Sequence, residues 1–388
     1  MRKLLLLSLL LAGSAPAKAP IYDSALEARV FDRAWSLVQK HYWDHARTGA
    51  AWEAARDRFR ARAIAAPDRQ HFYKLLGEML ASLDDSHVYA IDPVQLGIGK
   101  ARDAGRSAEG FGFSMAPDDE AVWRVSQIRA ASAAARAGVQ IGWEVRGVNG
   151  RPVDIDYQPA AGEVAGFAFV DEAGGAHDLR LTSELEEALP VRRATDLPGN
   201  VLLIGLDGFD PGADRWMRSE IAHAAPAGVI LDLRQNDGGD ADVIARVAGL
   251  FYGEDRPLVQ RIAARETVQS TRGAGARSFF GPLVVLVGPD SASGAEALAA
   301  LIDESKRGTT VGQRTAGALT GAANYRLPDG GELSVAEFDI RTPGGQRLEG
   351  VGFTPRVVVT PTLADRRAGR DPALDRATRL IAPRAASR

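Results

Sequence analysis

Residues 282–304 read PLVVLVGPDSASGAEALAALIDE, and the organisation of the chain unfolds outward from this stretch. The Leu/Val run at 283–287, closed by Gly288 and Pro289, has the pattern of an apolar strand. From Gly294 onward the apolar residues recur at helical spacing, so a helix follows directly. Ser293 stands at the turn between them, where the N–H groups of the helix start face any anion formed beside it. Ser291 and Ser293 are equally good helix N-caps on local grounds, so a structural and a chemical reading both remain open for this stretch taken alone.

Upstream, residues 228–240 read GVILDLRQNDGGD, an apolar strand at 228–233 running into a polar turn. Gly238 and Gly239 free the backbone there to aim N–H groups at a ligand, and the GxxxxGK[ST] pattern of a nucleotide phosphate loop is missing. With a further strand at 201–206 and helices at 241–250 and 295–302, strands and helices alternate as in an α/β layer. Nearer the N-terminus, Leu26, Val30, Phe31, Trp35, Val38 and Tyr42 mark one helix face. Trp52, Ala55 and Phe59 mark a second, and Leu75, Leu76, Met79, Leu80 and Leu83 a third, capped by Asp68. Between these regions, past a polar, glycine-containing segment at 99–109, come short strand-like runs bounded by glycine and proline. They include GFGFS at 110–114, 122–128, a helical piece at 131–137, and GWEVRGVNGRPV at 142–153, with 167–181 supplying the last strands. This part resembles a PDZ domain. The resemblance implies that a peptide is added as a strand, with its C-terminal carboxylate held by the loop Gly110, Phe111, Gly112 and Phe113.

Bulk properties narrow the function. A chain of 388 residues with 45% hydrophobic content supports about two or three cores. A net charge of -3 offers no basic surface for phosphates, which excludes nucleic acid as a partner class. The absence of cysteine removes disulfides, thiolate metal sites and a cysteine nucleophile. Arg2 and Lys3, the apolar run at 4–11 and Ala15-Pro16-Ala17 form a secretory signal peptide at 1–17; the run is about half of the roughly 20 residues a membrane span needs. A periplasmic or secreted protein that does not span the membrane is expected. The HYWDH phrase at 41–45 sets two histidines four apart, but without a glutamate base it is read as a helix end rather than a metal site.

A serine becomes a nucleophile only beside a base that is itself oriented, which draws attention to Asp85-Ser86-His87. The phrases DSH, the PDZ-like insert, DLRQNDGG, SASGAE and EGVGFTP occur in the order seen in the C-terminal processing peptidases and the tricorn core, and the chain resembles that family from about 28 to 359. The resemblance implies Ser293 as nucleophile. The processing peptidases take a lysine from a T-x-G-K phrase as base, but here the phrase is Thr315-Ala316-Gly317-Ala318, and Lys306 does not match the pattern. The tricorn-like branch implies instead His87 as base, with Ser86 and Glu349 behind it. An oxyanion hole would come from Gly238 or Gly239 and Gly294, with no metal or organic cofactor.

The expected fold is multidomain α+β. It comprises a signal peptide (1–17), a helical subdomain (18–105), a PDZ-like β-domain (106–185), a ClpP/crotonase-like α/β catalytic core (186–362) and a tail (363–388) that is helical or loose. The expected activity is that of an exported serine endopeptidase acting on peptides or protein C-terminal regions. Two other readings stay open: an acyl hydrolase using the same residues, and a non-catalytic peptide-binding scaffold, suggested by the missing lysine.

Overall fold

The computed structural model describes residues 23–118, 122–153 and 159–381, so the expected signal peptide lies outside the described residues. The site is built on a six-stranded sheet in the order Arg192–Leu197, Val201–Leu206, Gly228–Asp232, Leu283–Val287, Thr309–Gly312, Val357–Val358. The first pair is antiparallel and every later pair parallel. All five residues of Leu283–Val287 are buried, because a parallel sheet needs cover on both faces. One face packs against the helices Ala213–Ala224, Ala241–Gly249 and Gly294–Glu304 through residues such as Leu206, Leu231, Val247 and Leu298. The other is closed by the terminal helix Pro372–Ile381, whose Ala373, Ala377 and Ile381 meet Val201, Ile230, Val284 and Leu286. Within the segment expected to be helical or loose, residues 372–381 are helical, and their four-residue apolar spacing supplies this second layer.

A second, antiparallel sheet runs Tyr89–Ile91, Glu332–Arg341, Pro257–Ile262, Glu266–Ser270, with Thr320–Arg326 also paired to Glu332–Arg341. The helices Ser24–His41, Ala50–Ile64 and Arg69–Leu80 lie on it, and Phe31, Trp52, Phe72 and Met79 share one core with Leu333, Val335 and Ala336. The N-terminal helices thus do not close a core of their own. Asp68 caps the third, accepting the N–H of His71 at 2.9 Å. Part of the segment read as a polar connection at 99–109 belongs to a helix, Pro93–Asp103. Within HYWDH, the His41 ring packs at a tilt of 36° against Tyr325 with ring centroids 4.9 Å apart and approaches Glu337 at 3.5 Å, tying the first helix to the sheet.

The remaining strands form an antiparallel sheet in the order Phe113–Pro117, Trp123–Ile128, Glu144–Val148, Val164–Val170, Ala176–Thr182, which leaves Phe113–Pro117 at an edge. The helical piece expected at 131–137 is a single turn, Ala133–Arg136. Phe111, Val125, Trp143, Phe167, Phe169 and Leu181 make the core of this domain. Its chain enters through Ala108–Gly110 and leaves through Glu184–Glu186, and these two segments pair with each other. Among the described residues no helix is long and apolar enough to cross a membrane.

Candidate active site

Ser293 caps Gly294–Glu304 with φ 52° and ψ -115°, a conformation that costs a residue bearing a Cβ about 1–3 kcal/mol. Two acceptors hold its N–H in place, Ala318 O at 2.8 Å and Glu296 Oε2 at 3.1 Å. A Cβ at Gly238 would lie 2.7 Å from Ser293 Cβ and 3.0 Å from its Oγ, so only glycine allows the turn to approach this closely. Ser291 behaves differently. It is fully buried, donates its hydroxyl to Leu233 O at 2.7 Å and accepts the Gly288 N–H at 2.9 Å, which separates the structural serine from the accessible one.

Glu296 is the hub beneath this turn. Besides Ser293 it accepts from the Thr315 hydroxyl and from the Gly317 and Ala318 N–H groups, and it has no solvent exposure. Burial pushes its pKa up, against the pull of those hydrogen bonds. Sequence reasoning passed over it, although a glutamate three residues after the cap serine is the spacing of a capping box.

The next two residues of the same segment reach the histidine. Leu319 donates its N–H to Glu349 Oε2 at 2.7 Å, and the Thr320 hydroxyl donates to Asp85 Oδ1 at 3.1 Å. Glu349 is buried and also accepts the N–H of Ser86 at 2.8 Å and its hydroxyl at 2.9 Å. The Ser86 hydroxyl has one proton, given to Glu349, so its 2.9 Å contact with His87 Nδ1 is one in which the ring donates. His87 then carries its proton on Nδ1 and presents a bare Nε2, the tautomer suited to accepting a proton. Ser293 Oγ and His87 Nε2 are not hydrogen-bonded to each other; residues 318–320 bring their supports together.

Asp85 holds the backbone of the histidine turn. It accepts from His87 N–H at 3.1 Å, Tyr42 Oη at 3.2 Å and Trp43 Nε1 at 3.3 Å, so the HYWDH phrase contributes to the site through its central aromatics. Burial lowers the His87 pKa below its ordinary value of about 6.5, outweighing Glu349 and Asp85, whose charges pull it upward.

Of the three glycines expected to stabilise an oxyanion, Gly238 has its N–H committed to Asn236 Oδ1 at 2.9 Å, a correction to its reading as a free donor. Asn236 is itself fully buried and anchored to Leu206 O at 3.0 Å. The N–H groups of Gly239 and Gly294 have no hydrogen-bond partner among the described residues. Ala318 occupies the phrase where a lysine base would stand, and Lys306 follows the opposite end of the 11-residue helix, about 16 Å along its axis. Arg356 forks onto Asp303 at that same far end. Gly110, Phe111, Gly112 and Phe113 lie in the separate antiparallel domain, with the Phe111 ring buried against Phe167.

Residues 200–359 match Peptidase family S41, and residues 27–81 match the Tricorn protease C1 domain. The chain is 27% identical over 380 residues to a carboxyl-terminal-processing protease of Synechocystis sp., covering 93% of this chain and 86% of that protein. It is 29% identical over 420 residues to putative tricorn protease homolog 2 of Streptomyces coelicolor, covering 92% of this chain and 32% of that longer protein. In fold it is similar to the photosystem II D1 C-terminal processing protease, with a TM-score of 0.63 at 24% identity, covering 93% of this chain and 98% of that one. With a Peptidase S41 domain over residues 200–359 and a Tricorn C1 domain over residues 27–81, the chain carries the domains of a serine-type peptidase.

Proposed function

We propose that the protein is an exported endopeptidase that cleaves peptides or protein C-terminal regions, with Ser293 as nucleophile and His87 as base. The observation that carries this reading is the unbroken run Glu349, Ser86, His87 Nδ1, which sets the ring in the accepting tautomer in a chain with Ala318 in place of the phrase's lysine. Ser293 Oγ bonds to the peptide carbonyl carbon while its proton passes to His87 Nε2. The same proton goes to the amine as the C–N bond breaks, and water, deprotonated by Nε2, then releases the acyl group. Gly239 and Gly294 would each stabilise the oxyanion by about 2.7–4 kcal/mol.

The antiparallel domain is read as a PDZ-like module. In support, its edge strand Phe113–Pro117 is open to a peptide strand and is entered through the loop at 110–113. A fluorophosphonate that labels serine nucleophiles, mapped by mass spectrometry, tests the catalytic assignment. A single adduct on Ser293 that disappears in His87→Ala is expected. An adduct on another residue, or unchanged labelling in His87→Ala, would overturn it.

A further inference from the structure

The loop assigned to a peptide's carboxylate already holds a carboxylate of its own chain. Gly112 N–H donates to Glu186 Oε1 at 2.7 Å, and Glu186 Oε2 pairs with Arg129 Nε at 2.7 Å. Arg129 is fixed in turn through Nη1 to Glu187 O at 2.8 Å. Glu186 belongs to the exit segment Glu184–Glu186, where it pairs with Ala108, while Gly110 pairs with Glu184. A Cβ at Gly110 would sit 2.1 Å from Glu186 Oε1, so a larger residue there would push the end of this side chain from its place. The entry and exit segments of the domain are thus joined by a side chain that ends on the loop's own donor.

We propose that Glu186 is an intramolecular competitor for the ligand of this loop, a peptide C-terminal carboxylate, and that binding proceeds by exchange. The competition rests on the PDZ-like reading and on the number of donors the loop has to give. Gly112 has one N–H, Arg129 has Nε committed to Glu186 and Nη1 to Glu187 O, and a second carboxylate beside Glu186 would face like-charge repulsion. The incoming carboxylate therefore takes Gly112 N–H and Arg129 from Glu186, with no change in the number of charge-assisted hydrogen bonds. Because the tethered side chain acts at millimolar effective concentration, the apparent affinity falls by the fraction of time the loop stands open. Expelling Glu186 also removes one side-chain tie between the entry and exit segments, whose backbone pairing remains.

The test measures binding of an N-terminally fluoresceinated peptide with an apolar C-terminal residue, as free acid and as amide, by fluorescence anisotropy. The full chain carries Ser293→Ala to suppress turnover, alone or combined with Glu186→Ala or Glu186→Gln. Glu186→Gln preserves the side-chain shape and guards against a folding defect. Removing the competitor is expected to tighten the acid peptide about tenfold in both variants and to leave the amide unchanged. Unchanged or weaker acid binding in both variants, while the acid still binds more tightly than the amide, would overturn the competition and leave the loop reading standing. Equal binding of acid and amide in every protein would instead remove the loop reading, and the competition with it.

Discussion

Glu349 receives both the main-chain N–H and the hydroxyl of Ser86, at 2.8 Å and 2.9 Å, across a sequence separation of 263 residues. A carboxylate can only accept, so this pairing dictates which way the Ser86 proton points and hence which nitrogen of His87 is protonated. Glu349→Gln places an amide N–H₂ where an acceptor is needed. The Ser86 hydroxyl can then turn toward His87 and favour the wrong tautomer. We expect kcat to fall by about two to four orders of magnitude with little change in KM, measured on a quenched peptide substrate. Lys306→Met, at the far end of the helix that Ser293 caps, should leave kcat within about twofold.

The pH profile should carry the mark of the buried ring. As the proposed base His87 must be neutral to accept a proton, and desolvation lowers its pKa, so the neutral form persists to lower pH than in water. The rise in kcat/KM with pH is therefore expected at a midpoint below about 6.5, with a plateau at neutrality. Asp85→Asn removes a charge that raises this pKa and should move the midpoint further toward acid. A midpoint above 7 in the parent enzyme would contradict the desolvated setting.

Removing the Asp85 side chain leaves four donors without their acceptor: Tyr42 Oη, Trp43 Nε1, Thr320 Oγ1 and the His87 N–H. Asp85→Ala should cost about 3–5 kcal/mol in urea unfolding, whereas Tyr42→Phe, which loses a single hydrogen bond, should cost about 0.5–1.5 kcal/mol.

Glu296→Ala tests how the strained serine turn is held. With the common acceptor of Ser293, Gly317 and Ala318 removed, the turn can relax from φ 52°. Loss of fluorophosphonate labelling in a variant whose circular dichroism remains native is the expected result.

Glu27 supplies a pH-dependent stability that is independent of catalysis. It is 2% exposed, its Oε2 lacks a partner among the described residues, and burial, with Asp329 nearby, raises its pKa to about 7. A carboxyl whose pKa is raised on folding binds more protons folded than unfolded between about 4.5 and 7, so stability falls as pH rises through that window. Glu27→Gln should flatten this fall and stabilise the protein by roughly 1–3 kcal/mol at pH 8, measured by urea unfolding.

Much of the central layer is written locally. The strands Val201–Leu206 and Leu283–Val287 coincide with the apolar runs, because fully buried parallel strands leave an uninterrupted hydrophobic signature between glycine and proline stops. The turn at Ser293 follows, since a strand that ends in such a stop before a helical pattern leaves one residue at the crossing. The sheet of Thr320–Arg326 and Glu332–Arg341 was illegible by the same criterion. The first of these strands, TGAANYR, is small and polar and is stabilised by partners far away in sequence. The helix Pro93–Asp103 was masked by Gly97 and Gly99, residues that disfavour a helix in isolation.

From its own residues the sequence determined the apolar strands of the central layer, the serine at a strand-to-helix turn and the lack of a lysine in the expected phrase, all of which depend on neighbours a few positions apart. Only the tertiary structure decided that Ser291 is anchored and Ser293 accessible, that Glu296 and Asp85 support the two halves of the site, and that Gly238 has spent its N–H on Asn236. Those outcomes rest on which acceptor each donor meets. That choice is made by the register of Tyr89–Ile91 against Glu332–Arg341 and by the passage of residues 318–320 between the serine turn and Glu349, contacts for which no local pattern in the chain encodes the partner.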